Sequence, residues 1–445
     1  MKLNTTNRRR FTIAAILFAV VALTITCSSN LSNSAKRDFI KIQNGQLIKD
    51  SKPYYFVGVN FWYGAILASQ GEGGNRNRLR EELDILECLG VDNLRILVGA
   101  DGENGLPSRV RPTLQTAPGI YNDTILDGLD YLMAELSKRN MHAVLYLNNS
   151  WEWSGGYSVY LQWSGHGRAP IPSVDGWPTY MEYVKQYMQS DSAKALFDNH
   201  VRFILGRTNR YTNTPYTEDT AILSWQIGNE PRCFADENKD AFAEWTSHVA
   251  TLIKQLDNNH LVSLGSEGKH GCEQDLQLYE RINSDANIDY LNIHIWPYNW
   301  GWVSQETLLE NLEQAKSNTS DYIAQHYAIA EKYNKPIILE EFGYPRDDFK
   351  FARSTSTKAR DEYYQFVFQR IIDEASKGGL FAGCNCWAWG GTAKPSTEHI
   401  FWELGDDYTG DPAQEEQGLN SVFHNDSTVA LIRHANETLH EIVAK

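Results

Sequence analysis

Ser224–Arg232 reads SWQIGNEPR, an apolar run begun at Ala221 that ends in a glutamate held between an asparagine and a proline. Two readings compete for Glu230: a surface charge where a strand gives way to a loop, or an acid at the rim of a barrel. The surrounding segments decide. Short apolar runs recur as VDNLRILV, HAVLYLNN, AILSWQIGNE, LVSLGSEG, YLNIHIWP, PIILEEFG and GLFAGCNCWAWGG, after a first strand expected over Phe56–Trp62. Most are separated by helical patterns such as ILDGLDYLMAELSKRN, SAKALFDNHVRFILGRT and DEYYQFVFQRIIDEASK. Continuously apolar strands alternating with helices imply a parallel sheet buried on both faces. Eight such units predict an α/β fold, the (β/α)8 TIM barrel. The link between the fifth and sixth strands is the weakest, because CEQDLQLYERI offers only a short helix.

The start of the chain adds a short N-terminal β-hairpin. FIKIQNGQLIKDSKPYYFVGVNFW, residues 39–62, opens with alternating runs separated by Asn-Gly and Asp-Ser, the pattern of a hairpin. With no proline-rich or low-complexity linker after it, residues 39–445 read as a single (β/α)8 domain. Residues 1–27 are set apart: three arginines, an apolar run from Phe11 to Thr26, then Cys27. That run is short for a membrane span and reads as an export signal. The cysteine at its end resembles a bacterial lipoprotein signal, in which Cys27 becomes a lipidated N-terminus and residues 28–38 a tether. Ordinary secretion and a retained anchor are the alternatives, and all three put the protein outside the cytoplasm.

Composition narrows the partners. The 445 residues hold 41 Lys plus Arg against 56 Asp plus Glu, a net charge of −15. Such a surface repels nucleic acid and polyanionic substrates. Among 13 Trp, many fall at segment ends rather than within apolar runs, where sugar stacking explains them better than core packing does. Of the five cysteines after Cys27, Cys384 and Cys386 alternate along one apolar run and are expected to be buried, as is Cys88 in a helical pattern. Cys233 and Cys272 fall in two loops that a barrel brings together, where a disulfide is an open alternative to free thiols. No Cys or His cluster has metal-ligand spacing, so neither metal nor cofactor is expected.

Every apolar run ends in polar or aromatic residues: NFWYG, RILVGADG, NNSWEW, GNEPR, GSEG, HIWPYNW, EEFG and WAWGG. In a barrel these ends share one face, where the loops build the active site. Glu230 ends the fourth strand and Glu341 closes the seventh, which sets two carboxyls across a narrow gap. Retaining glycoside hydrolysis needs such a pair roughly 5–5.5 Å apart, one attacking the sugar and one protonating the leaving oxygen. Arg95, near the end of the second strand, supplies a permanent positive charge that favours ionisation of one carboxyl, while burial raises the pKa of the other. Glu340 reads as a structural carboxylate, turned away from Glu341 by strand alternation. His294 alone would more often be a satisfied core histidine, and Trp387 and Trp389, alternating on one face, could simply fill the barrel. Trp62, Trp151, Trp163 and Trp300 stand as platforms along a cleft.

The stretches WQIGNEPR, NIHIWPYNW, PIILEEFGYPR and CNCWAWGG resemble glycoside hydrolase family 5, and NNSWEWSGGYSVYLQW with LGSEG resembles its endo-β-1,4-mannanase subfamily. The similarity runs from about Phe39 to the end of the chain. It implies a (β/α)8 barrel that hydrolyses β-1,4-mannosidic bonds with retention, on mannan, galactomannan or glucomannan. A monomer is expected. The resemblance implies Glu230 as acid/base, Glu341 as nucleophile, Arg95 as the nucleophile's cationic neighbour and Asn229 as donor to the sugar 2-OH. His294 and Trp387 fall on the family's sixth-strand histidine and eighth-strand stacking tryptophan, and Arg232 on a mannanase residue that contacts the leaving-group sugars. Trp296 departs from the pattern, standing where the family often has a tyrosine bonded to the nucleophile; an indole N–H donates but cannot accept. A β-1,4-glucanase on the same scaffold and a non-catalytic glycan-binding lipoprotein are the rival readings.

Overall fold

Asn44 and Gly45 both take positive φ, 52° and 80°, and this turn pairs Lys41–Gln43 antiparallel with Gln46–Lys49. A third short strand, Lys52–Pro53, completes the expected hairpin. The computed structural model describes residues 38–445. The expected export signal, Cys27 and all of the tether but Asp38 lie outside the described residues.

Eight parallel strands follow: β1 (Phe56–Asn60), β2 (Asn93–Leu97), β3 (His142–Tyr146), β4 (Ile222–Gln226), β5 (Leu261–Ser263), β6 (Leu291–Ile295), β7 (Ile337–Phe342) and β8 (Phe381–Cys386). Their order in the sheet is β5-β4-β3-β2-β1-β8-β7-β6. The short helix expected between β5 and β6 is present as Leu276–Asn283, and the barrel's seam falls between the same two strands. No ladder joins these two strands; instead Asp289 N–H donates to Val262 O at 2.8 Å, Val262 N–H to Asp289 Oδ2 at 2.6 Å and Gly265 N–H to Asn292 Oδ1 at 2.7 Å.

The ring of helices comprises α1 (Arg76–Cys88), α2 (Asp123–Lys138), α3 (Asp191–Leu205), α4 (Lys239–Leu256), α5 (Leu276–Asn283), α6 (Leu312–Tyr333), α7 (Lys358–Lys377) and α8 (Thr428–Ala444). Asn75, Asn122, Ser190 and Asp275 cap α1, α2, α3 and α5 by accepting backbone N–H groups, each cap contributing about 1 kcal/mol. Cys88, at the end of α1, is half-buried rather than buried, because it falls off the apolar stripe of Leu79, Leu83 and Leu86. Among the described residues no helix is long and apolar enough to cross a membrane.

The barrel interior is layered. At the bottom, Phe56, Val144, Leu223, Leu261, Ile338 and Ala382 cluster with Ile40, Leu47 and Tyr54 of the hairpin. Each large apolar side chain removed from water there contributes roughly 1.5–3 kcal/mol, so the hairpin is a stabilising plug. Higher up the interior turns polar: Arg95, Gln226, Ser263, Glu340 and Asn385 are all fully buried. Strand β8 stops at Cys386, and Trp389 begins a separate short strand paired with Val422–Phe423. Trp387 and Trp389 therefore do not share a face as strand alternation suggests. Trp389 turns outward to donate its indole N–H to Glu82 of α1 at 2.9 Å.

Candidate active site

Glu230 lies four residues beyond β4, in a left-handed conformation with φ 48°. A non-glycine residue held there costs of order 1–3 kcal/mol and needs surroundings that enforce it. Here its N–H donates to Gly265 O at 2.9 Å, and Ser150 Oγ donates to its carbonyl. Gly265, with φ 80°, brings the ends of β4 and β5 together; a Cβ there would lie 2.0 Å from Gly228 O. The GNEP and GSEG segments thus lock against each other and aim Glu230 over the barrel mouth.

Its carboxyl is bound on both oxygens. His294 Nδ1, from β6, lies 2.8 Å from Oε1, and the Trp151 indole N–H donates to Oε2. Glu341, on β7, faces it. Arg95 Nη1 contacts Glu341 Oε1, and His294 Nδ1 is 3.4 Å from Glu341 Oε2. Ligand atoms of Glu230, His294 and Glu341 all lie within 4.8 Å of one another. The two acids, far apart in sequence, meet across a sugar-sized gap. Among the described residues these three also form the group able to hold a metal ion; coming from three strands, they have no spacing that a sequence scan would find. Arg95 already supplies positive charge at Glu341, and the His294 nitrogen is turned toward the carboxyls as a donor.

Burial pushes the proton affinity of Glu230 and Glu341 upward, and in Glu341 the neighbouring Glu230 adds to the effect. The pair therefore titrates as a unit. Arg95 touches Glu341 and not Glu230, which puts the negative charge of the singly protonated pair on Glu341 and the proton on Glu230. Burial, with the charges of Arg95 and Arg232, drives the proton affinity of His294 well below the ordinary value. His294 is thus neutral, one N–H serving the carboxyl pair.

Asn229 accepts from Arg95 Nη2 at 2.9 Å. The cleft, about 420 Å³, is lined by Trp151, Asn229, Glu230, Arg232, Trp296, Trp300, Glu341 and Trp387 among others. The structure thus gathers most of the sequence candidates. Trp296 lies edge-on to Trp387, with ring centroids 5.9 Å apart, and its indole N–H favours the charged form of Glu230, whereas the tyrosine it replaces would serve the nucleophile. Two candidates lie elsewhere. Trp62 is buried beneath the cleft, its N–H spent on Gly410 O at 2.8 Å, because the β1 end is roofed by the chain after β8. Trp163 packs against Tyr160, away from the residues lining the cleft. The Cys233–Cys272 disulfide does not form: both are free, buried thiols.

Other lining residues carried less signal. Glu267, in GSEG, pairs with Arg232 in a nearly buried salt bridge, and burial lifts its pKa to about 8. Arg232 also lies 4.9 Å over the Trp151 ring, so it belongs to the cleft wall. Gln414, Glu415, Glu416, Leu419 and Asn420 enter from the segment between β8 and α8. That strap is fixed from beneath: Asp411 accepts from the N–H groups of Gly418 at 2.8 Å and Asn420 at 3.0 Å. The fully buried Arg346 and Arg360 donate to the carbonyls of Gly418, Leu419 and Ser421.

Comparison with known proteins agrees with this geometry. The family model described as GH family 5 β-mannosidase-like matches residues 37–444. A glycoside hydrolase family 5 mannosidase from Rhizomucor miehei superposes with a TM-score of 0.83 at 32% identity, covering 92% of this chain and 100% of that one. An endo-β-1,4-mannanase from Thermotoga petrophila, at 22% identity and a TM-score of 0.64, covers 87% and 77% and shares the fold. In sequence, the putative mannan endo-1,4-β-mannosidase 9 of Oryza sativa subsp. japonica is 28% identical over 387 residues, 84% of this chain and 87% of its own. The chain belongs to glycoside hydrolase family 5.

Proposed function

We propose that this family 5 glycoside hydrolase cleaves β-1,4-mannosidic bonds of mannan-type chains by double displacement. One observation carries the mechanism: carboxylate oxygens of Glu230 and Glu341 lie within 4.8 Å of each other, close to the roughly 5–5.5 Å of retaining enzymes and well short of the roughly 6.5–9.5 Å that admits a water for inversion. Glu341 attacks the anomeric carbon while Glu230 gives its proton to the departing oxygen. Glu230, now ionised, then takes a proton from water as that water attacks the glycosyl ester and frees Glu341. Arg95 holds the nucleophile charged, and Asn229, oriented by Arg95, faces the site of the sugar 2-OH. The names of the relatives support mannan as the substrate. Proton NMR of an aryl β-mannoside reaction tests the mechanism: a β-anomer as first product is expected, and an α-anomer refutes it. Sugar release from galactomannan but not from carboxymethylcellulose separates a mannanase from a glucanase; saturable binding with no product would identify a non-catalytic binder.

A second reading concerns the point of attack. The endo action implied by sequence resemblance needs a groove open at both ends. The strap that brings Gln414–Glu416 against the cleft favours attack at a chain end instead. Mannohexaose distinguishes them: mannose with mannopentaose as the only early products supports end attack, and mannotriose, or mannobiose with mannotetraose, supports internal attack. We also propose that the enzyme works as a monomer outside the cytoplasm, held through a lipid on Cys27. The export-type N-terminus supports this, and loss of radiolabelled palmitate incorporation in Cys27→Ala tests it.

A further inference from the structure

Glu340 immediately precedes the nucleophile, and the sheet register treats it as an inserted residue. Ile293 pairs with Leu339 and the next residue, His294, with Glu341, so Glu340 is the extra residue of a β-bulge. Bulges re-aim side chains beside active sites. This one defeats the alternation that would turn Glu340 away from Glu341: both carboxylates reach the same guanidinium, Glu341 in contact with Arg95 Nη1 and Glu340 Oε2 at 3.9 Å from Arg95 Nε.

The space between them is filled by Gln226. Its Oε1 accepts from Arg95 Nε at 2.8 Å, while its Nε2 donates to Glu340 Oε2 and to Ser263 Oγ. On the other oxygen, Tyr290 donates to Glu340 at 3.1 Å and shares a 2.7 Å hydrogen bond with Ser224 in which either hydroxyl can donate. Reversing the Tyr290–Ser224 bond lets Tyr290 accept from a protonated Glu340, so either charge state keeps its bonds.

We propose that Glu340 is a positioning residue for the nucleophile, orienting the Arg95 fork through Gln226 and sharing its charge with Glu341. The inference rests on Glu341 being the nucleophile. The charged and titratable groups facing Glu340 are Arg95 of β2, Tyr290 ahead of β6 and, through its field, Tyr279 of α5; Glu341 and His294 lie beyond Arg95. Burial sets the Glu340 pKa at about 7, so its charge appears near neutral pH. Once ionised, Glu340 takes a share of the Arg95 field. Arg95 also holds down the proton affinity of Glu230, so the general acid then keeps its proton to higher pH.

Glu340→Gln is the test. Its amide can accept from Gln226 and donate to Tyr290, which preserves the bonds and removes the charge. The expected result is a kcat/KM profile whose basic limb moves to lower pH by about half a unit or more, with the acid limb, where Glu340 is already protonated, unmoved. Tyr290→Phe removes a donor to ionised Glu340 and should move the same limb the same way by less, which keeps the test open if the first variant does not fold. Unmoved limbs in folded variants overturn the proposal and assign Glu340 a packing role. Trapping with a 2-deoxy-2-fluoro-β-mannosyl fluoride, read by peptide mass, separates the two levels. Label on Glu341 with unmoved limbs overturns the Glu340 role alone; wild-type label elsewhere overturns the functional reading with it.

Discussion

Trp151 donates its indole N–H to Oε2 of Glu230, while Arg232 lies over the same indole. A donor to the charged form lowers a carboxyl's pKa, against the upward push of burial. Trp151→Phe keeps the ring and deletes the donor. A hydrogen bond to a charged group is worth about 1.5–3 kcal/mol, so the Glu230 pKa should rise by about one unit or more. The basic limb of kcat/KM on an aryl β-mannoside is expected to move up in pH. A downward shift, or none in a folded variant, would mean that Trp151 does not govern the acid.

The barrel was readable because each apolar run and helical stripe is a local pattern, and the two acids because NEP and EEFG sit at strand ends. What escaped was register and distance. No local composition marks the bulge at Glu340, since the insertion exists only relative to Ile293 and His294 on the neighbouring strand. The strap of Gln414–Asn420 has no period to read, and it reaches the cleft through the buried arginines Arg346 and Arg360. Trp62 misled because strand-end position does not reveal which way an indole points. Glu267 was visible as a polar strand end, but its link to Arg232 is a tertiary fact.

Glu341→Gln and Glu230→Ala should separate the two steps. The first removes the nucleophile and is expected to lower kcat on the order of 10⁴-fold or more while oligosaccharide binding by calorimetry persists. The second removes proton donation, worth on the order of 10²–10⁴-fold. Its loss in kcat/KM should be small on a dinitrophenyl mannoside, whose leaving group needs no proton, whereas kcat falls because the glycosyl ester lacks its base, and azide should restore kcat as a mannosyl azide of retained configuration. Azide rescue of the Glu341 variant in place of the Glu230 variant would reverse the roles.

His200 of α3 tests acid stability. It is fully buried, shares hydrogen bonds with Val98 O at 2.8 Å and Tyr121 OH at 3.2 Å, and burial lowers its pKa to about 4. The unfolded chain therefore binds a proton here first as pH falls below about 6.5, and the folded state loses up to about 3 kcal/mol by pH 4. His200→Asn cannot protonate. The Tm advantage of wild type over this variant at pH 7 is expected to shrink steadily toward pH 4; a constant difference would exclude the linkage.

Asp411 decides how firmly the strap closes the cleft. Its carboxylate accepts from Gly418 N, Asn420 N, Ser421 N and Ser421 Oγ, four donors of which all but Asn420 N are buried. Asp411→Asn keeps one acceptor oxygen for the Gly418 and Ser421 donors, turns an NH₂ against the Asn420 N–H, and removes the charge that strengthens all four bonds. Each lost partner costs about 1–3 kcal/mol, and much of that cost is relieved if the strap lifts. The lining residues Gln414–Glu416 would then leave the cleft. On mannohexaose the variant is expected to yield more mannobiose and mannotriose relative to mannose than wild type does, with a lower Tm. If the lower Tm appears without a change in products, the strap stabilises the barrel but does not determine where the chain is cut.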